Sequence, residues 1–273
     1  MGYTYVISDV HGQLKCFEAI REKINLQPDD RLYVLGDVID FGYFGIEILK
    51  RIMAMPNVEM LLGDHEFMML NALGVPYDGI KRIISDCIKQ WHGNGGYITS
   101  LTFDSQPERV KTDIIDYLKS RPLSIDIEVM STKHRLVHSV DKVFYERYKS
   151  KYASEAEFSV FDREALDDMN MSDTNYVFGH VMNGTCGKRP REIWYKGHMI
   201  AIDCGCAVVP NTMEQQVLGL LGGRLGCMRL DDMIRFYSHD HPKDYFSAAT
   251  IKPNPRLIER IKKKFPIIIN SDD

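Results

Sequence analysis

Three apolar runs near the start of the chain, YVISD (5–9), LYVLGDVID (32–40) and VEMLLGDHE (58–66), each break off in Asp, His or Glu. Between the first two, Leu14, Phe17, Ile20 and Ile24 recur at helical spacing. Between the second and third, Ile46, Leu49, Ile52 and Met53 do the same. Buried-strand patterns that alternate with amphipathic helical ones, joined by short turns such as Pro28-Asp29-Asp30 and Pro56-Asn57, admit few folds. They specify strand–helix–strand–helix–strand, and so a parallel sheet covered by helices.

The middle of the chain is more helical. Residues 80–91 carry Ile83, Ile84, Cys87 and Ile88 at helical spacing, and Pro107 opens a helix running to Lys119. PLSIDIEV (122–129) alternates as a half-buried strand, and HRLVHSV (134–140) is its expected partner. Polar helical sequence follows over 141–172. NYVFGHV (175–181) and MIAIDCG (199–205) read as further strands, with Cys204 and Cys206 as strand residues rather than a metal pair. GCMRLDDMIRFYS (226–238) reads as a hairpin turning at Asp231-Asp232, and 255–265 as a terminal helix. Without a repeat or linker, residues 1–273 are expected to form a single domain.

A net charge of −4 argues against nucleic acid or an anionic membrane as partner. No apolar run approaches the roughly 18 residues of a membrane span, and the N-terminus lacks a secretory pattern. Six scattered cysteines fit reduced thiols and a cytoplasmic location. His134 and His198 are read as surface residues. The sequence sets no oligomeric state.

In sheets of this kind ligands bind beyond the carboxyl ends of the strands, where this chain collects its unusual residues. The first strand ends in Asp9 and His11, the second in Asp37 and Asp40, the third in Asp64, His65 and Glu66. Later strands end in His138 and His180. Imidazole with carboxylate and no thiolate suits Mn²⁺, Fe or Zn²⁺. Two such ions roughly 3.5–4 Å apart would share a carboxylate and activate a water for attack on phosphorus.

The ordered set D-x-H (9–11), G-D-x-x-D (36–40), G-D-H-E (63–66), L-V-H (136–138) and F-G-H (178–180) resembles the calcineurin-like metallophosphoesterases. More narrowly it is similar to the bacterial and phage branch of the phosphoprotein (serine/threonine) phosphatases, a likeness extended by WHGNGGYIT (91–99), SVFDRE (159–164) and IAIDCGCA (200–207). The match runs from about 5 to 237. It implies an α/β fold, a four-layer α/β/β/α sandwich with mixed central sheets. It also implies a phosphomonoesterase using two divalent transition metals, manganese first and iron or zinc next, and a bridging hydroxide. The expected substrate is a phosphorylated protein or small phosphate ester. The same motifs occur in symmetrical dinucleoside tetraphosphate hydrolases, and a non-catalytic metal-bound protein is a third reading.

Carried over by position, the resemblance assigns Asp9, His11 and Asp37 to one metal, with Asp37 bridging to a second held by Asp64, His138 and His180. His65, oriented by Asp40, protonates the leaving oxygen; Arg163 and Asn94 bind substrate. Glu66 is expected to support rather than to ligate. Three departures stand out: Asp64 where the family has Asn, Phe41 where it has a phosphate-binding Arg, and Tyr43 where it has Pro.

Overall fold

The computed structural model describes residues 2–182, 191–208 and 223–239. These contain, in order, β1 (Thr4–Ile7), α1 (Leu14–Ile24), β2 (Arg31–Val34), α2 (Gly45–Met53), β3 (Val58–Met60), α3 (Asp64–Ala72), α4 (Ile84–Trp91), α5 (Tyr97–Asp104), α6 (Glu108–Lys119), β4 (Ser124–Val129), β5 (Thr132–Val137), α7 (Tyr145–Tyr148), α8 (Glu155–Phe161), α9 (Leu166–Asn170), β6 (Asn175–Phe178), β7 (Trp194–Lys196), β8 (Met199–Ala201), β9 (Gly226–Arg229) and β10 (Ile234–Tyr237). The helix expected over 255–265 lies outside the described residues, as does Cys186.

The strands form two five-stranded sheets in the orders β10-β9-β1-β2-β3 and β4-β5-β6-β8-β7. Both are mixed. In the first, β1, β2 and β3 run parallel and β9 is antiparallel to β1. In the second, β5, β6 and β8 run parallel, flanked by antiparallel β4 and β7.

Side chains along a strand point alternately to opposite faces, and this alternation sorts the apolar residues into three cores. Tyr5 and Ile7 pack with Phe17 and Ile20 of α1, Ile48 and Leu49 of α2 and Phe67 of α3. Val6, one residue out of phase, packs instead with Leu136, Val177 and Ile200 of the facing sheet, beside Met228 of β9 in its own sheet. Val137, Tyr176, Phe178 and Ala201 turn the other way, onto Phe158 of α8 and Met169 of α9. Three cores between four layers make the α/β/β/α sandwich that the sequence implied.

Three local expectations are corrected. The helix expected from residue 80 begins at Ile84. The Asp78 carboxylate accepts from the Ile80 N–H and from both terminal nitrogens of Arg82, which holds the preceding segment in a turn. Cys204 and Cys206 are buried beyond the end of β8, not within it. His134 is 7% exposed, not a surface residue, because its β5 strand is flanked by β4 and β6 and the ring shares a face with buried Leu136. His198 is exposed, as expected. Among the described residues no helix is long and apolar enough to cross a membrane.

Candidate metal centre

The loops after β1, β2 and β3 converge with those after β5 and β6. Asp9, Asp37 and Asp40 adopt left-handed backbone (φ 54°, 54° and 72°), as do His11 (48°) and His180 (60°). Such conformations are disfavoured for non-glycine residues and concentrate where surrounding structure enforces them at functional sites. Close approach is enforced too: a Cβ on Gly63 would lie 2.2 Å from Asp37 Oδ1, and one on Gly179 would lie 2.3 Å from Asp9 Oδ2.

Two groups of candidate ligand atoms result, each with its members within 4.8 Å of one another: Asp37, Asp64, His138 and His180, and His11, Asp37 and His65. Asp37 belongs to both. Asp64 Oδ1 lies 3.0 Å from His138 Nε2 and 3.0 Å from His180 Nδ1. His11 Nε2 lies 3.7 Å from Asp37 Oδ2. Asp9, expected beside His11, stands outside both groups; its carboxylate accepts from the His180 backbone N–H at 3.1 Å. His65, expected as an acid rather than a ligand, falls within the second group.

Hydrogen bonds from the far side of each ring fix which nitrogen faces the site. His138 Nδ1 donates to the Leu35 carbonyl (2.6 Å) and His11 Nδ1 to the Ile39 carbonyl (3.0 Å). A carbonyl only accepts, so both Nδ1 atoms carry protons. In a neutral ring the Nε2 lone pair then points inward. At His138 that atom lies 3.0 Å from a carboxylate oxygen, a contact that needs a positive group: a proton, which burial opposes but Asp64 and Asp9 favour, or a metal ion in its place. Charge gives the same result. Burial, with Asp64 and Asp9 close by, pushes the Asp37 carboxyl well above its ordinary range. Burial also works against Asp64, but His180 and His138 outweigh it and hold that carboxyl low. His11 is driven down to about 4, by burial first and by His65 second, so its ring is neutral at ordinary pH. Buried carboxylates short of counter-charge and inward lone pairs together fit divalent cations.

His65 is arranged differently. Its Nδ1 donates to Asp40 Oδ2 at 2.6 Å, which leaves Nε2 facing the site 4.0 Å from Asp37 Oδ2. Burial opposes protonation, but the Asp40 bond and the Asp64 charge prevail and raise its pKa to about 9. Asp40 is itself held by Trp91, whose Nε1–H donates to the same oxygen at 2.9 Å, and its backbone N–H donates to Thr99 Oγ1. Both residues belong to the WHGNGGYIT segment, which had been matched by sequence without a role for either. Glu66 accepts from the backbone N–H groups of Asp37, Val38, Ile39 and Gly63, so it shapes the loop that carries Asp37. Asp203 was also missed; it is buried and its carboxyl is raised by burial and by the Asp9 charge.

Arg163 is exposed, and its Nε donates to His180 Nε2 at 3.1 Å, which places it at the rim. Asn94 sits in a π-helical turn over His92–Gly96, where its amide donates to the Gln90 carbonyl.

A two-sheet α/β sandwich carries, at its parallel strand ends, an imidazole–carboxylate cluster able to hold divalent metal. The sequence model of the calcineurin-like phosphoesterases matches residues 3–201, and the chain belongs to that family. It is 30% identical over 141 residues to serine/threonine-protein phosphatase 2 of Salmonella typhimurium, a match covering 50% of this chain and 58% of that one. It is 36% identical over 81 residues to a symmetrical bis(5'-nucleosyl)-tetraphosphatase of Yersinia pestis, covering 29% and 27%. The chain thus spans less than two thirds of either relative. A solved structure provisionally named a diadenosine tetraphosphatase shares the fold, with a TM-score of 0.53 at 17% identity, covering 86% of this chain and 92% of that one.

Proposed function

We propose that the chain is a single-domain, metal-dependent phosphomonoesterase of the serine/threonine phosphatase type, acting on phosphorylated protein or small phosphate esters. The observation that carries this reading is the convergence of His138 Nε2 and His180 Nδ1 on one Asp64 oxygen, each at 3.0 Å. We assign two divalent ions, manganese by preference, to Asp9, His11 and Asp37 and to Asp37, Asp64, His138 and His180. Bound there, such ions supply positive charge that polarises a phosphoryl oxygen and acidifies a water.

The chain's own groups do the rest. Water oxygen forms a new bond to phosphorus as the bond to the leaving oxygen breaks. The proton on His65 Nε2 passes to that leaving oxygen, and solvent restores it. Asp40 holds the His65 ring in the required orientation through Nδ1. Arg163 is assigned to the phosphate oxygens, for which a planar guanidinium is suited, and Asn94 to the substrate at the rim. The free thiols Cys16, Cys87, Cys206 and Cys227 support a cytoplasmic location.

A second reading, symmetrical dinucleoside tetraphosphate hydrolysis, is favoured by the 36% identity to the Yersinia pestis protein. One assay separates the readings. Metal-free protein is supplied in turn with Mn²⁺, Zn²⁺, Fe²⁺ and Mg²⁺ and offered a phosphomonoester or a dinucleoside tetraphosphate. Metal-restored release of phosphate from the monoester supports the first reading. Cleavage of the tetraphosphate alone establishes the second, and no turnover under any metal sinks both.

A further inference from the structure

At the edge of the site, where the resemblance places an arginine, this chain places an aromatic ring. The Phe41 ring centroid lies 5.0 Å from that of His11 and 5.3 Å from that of His65. The ring is held in place from behind. Its residue has left-handed backbone (φ 59°), and the Phe41 N–H donates to the Gly95 carbonyl at 3.3 Å. Gly95 has no side chain to intrude: a Cβ there would lie 2.6 Å from the ring. Yet Phe41 remains 50% exposed, so a fixed aromatic surface beside two buried imidazoles still meets solvent. Core packing does not account for a ring so positioned and so open.

We propose that Phe41 is a specificity-determining residue that receives a planar aromatic group carried by the leaving group of the substrate. The inference rests on the phosphoesterase reading and on His65 as the acid. A leaving oxygen must come within hydrogen-bond reach of His65 Nε2, roughly 3 Å. A ring attached near that oxygen then falls beside Phe41, where offset or edge-to-face packing favours aromatic over saturated groups. The loss of a cation at position 41 has a matching consequence. Phosphate is held by one fewer positive group, so more of the binding must come from the non-reacting part of the substrate. Phe41 is therefore a gain of leaving-group recognition and not merely a lost phosphate anchor. The ring it accepts is a phenol, as in a phosphorylated tyrosine, or a nucleobase.

Two inert ligands matched in carbon skeleton test this without interference from leaving-group acidity. Calorimetry on manganese-loaded protein should show benzylphosphonate binding about 2–10-fold more tightly than cyclohexylmethylphosphonate, the range expected of one aromatic pair. Phe41→Leu should bring the ratio close to one, and Phe41→Trp should preserve it. A wild-type ratio near one, or a ratio untouched by Phe41→Leu, overturns the proposal while the phosphoesterase reading stands. Failure of both phosphonates and inorganic phosphate to bind would overturn that reading and this inference together. The source of the ring is read from kcat/KM: whichever of a phosphotyrosine peptide and diadenosine tetraphosphate loses a similar factor in Phe41→Leu carries the ring that Phe41 holds. A phosphoserine peptide should be unaffected, and an equal loss on it would refute a role specific to aromatic groups.

Discussion

The two sheets furnish unequal halves of the site. The first sheet gives Asp9, His11, Asp37, Asp40, Asp64 and His65 from the ends of β1, β2 and β3. The second gives His138 and His180, with Arg163 from the segment after α8. The carboxylates we assign as metal ligands all belong to the first half, the second adding only the buried Asp203 beyond β8 among the described residues, and the first half is the more heavily bonded. Glu66 gathers four backbone N–H groups, the His65 N–H donates to Asp37 Oδ1, and Trp91 and Thr99 hold Asp40. Each imidazole of the second half has one contact behind it: Leu35 for His138, Arg163 for His180. The difference follows from charge. Anionic ligands held close together need a rigid frame to oppose their repulsion, whereas neutral rings need only the correct tautomer.

The sharpest way to break this comparison is to remove a first-half group that faces the reaction. His65→Ala should lower kcat on an alkyl phosphate by on the order of 10²–10⁴-fold. The loss should shrink for p-nitrophenyl phosphate, whose leaving group needs little protonation. An equal loss on both substrates would move His65 from acid to ligand, as its place in the second ligand group allows.

Next in size is the frame itself. Glu66→Ala leaves four buried N–H groups without their carboxylate acceptor, which should lower stability by roughly 3–5 kcal/mol. Urea unfolding of metal-free protein measures this directly. The rigid-frame argument also requires the variant to bind metal about 10–100-fold more weakly, the range for groups that orient ligands. Metal affinity unchanged at reduced stability would mean that the frame supports the fold and not the site.

Much of the first half was legible because polar residues interrupt apolar runs, and strand ends of a parallel sheet are the expected place for them. The His65–Asp40 pairing, whose side chains lie 2.6 Å apart, was implied by the family resemblance rather than by the strand pattern. What holds Asp40 was not: Trp91 and Thr99 lie 51 and 59 residues away, and no local periodicity announces such contacts. Glu66 gave a partial signal, since Glu three residues into a helix often reaches back to backbone N–H groups, but its reach to the β2 loop is tertiary. His134 could have been recovered, because it sits two residues before Leu136 in an alternating strand and must share its buried face. Phe41 showed in the sequence only as a missing arginine; its contact with two imidazoles needed the fold.

A smaller effect compares the halves where they touch. Asp64 belongs to the first sheet but binds both second-half rings. With Asp9 and Asp37 it sets three carboxylates against the two divalent ions we assign, leaving one net positive charge; the Asp64→Asn variant leaves two. That variant should bind metal about tenfold more weakly, since one ligand is no longer anionic, and inorganic phosphate more tightly at saturating metal. Calorimetry measures both. Weaker phosphate binding at full metal occupancy would show that Asp64 acts by orienting His138 and His180 rather than by charge.

The smallest effect lies at the loosest part of the second half. Arg163 Nε is a donor, so in the observed contact His180 Nε2 must accept and the ring proton must sit on Nδ1, toward Asp64. As a ligand, His180 Nδ1 needs its lone pair free. The proton then moves to Nε2, where it meets the Arg163 donor head-on, and the contact is lost. Arg163 is thus a partner of His180 before metal binds and a released cation at the rim afterwards. Arg163→Ala should raise KM about 3–10-fold, the range for a charged hydrogen bond weakened by solvent exposure. It should leave metal affinity equal or slightly higher, because no contact need be broken. Nitrogen-15 spectra of the His180 ring should show the proton on Nδ1 without metal and on Nε2 with it. A proton on Nε2 in both states would contradict the observed contact, and an unchanged KM would leave Arg163 as a surface residue of the α8–α9 connection.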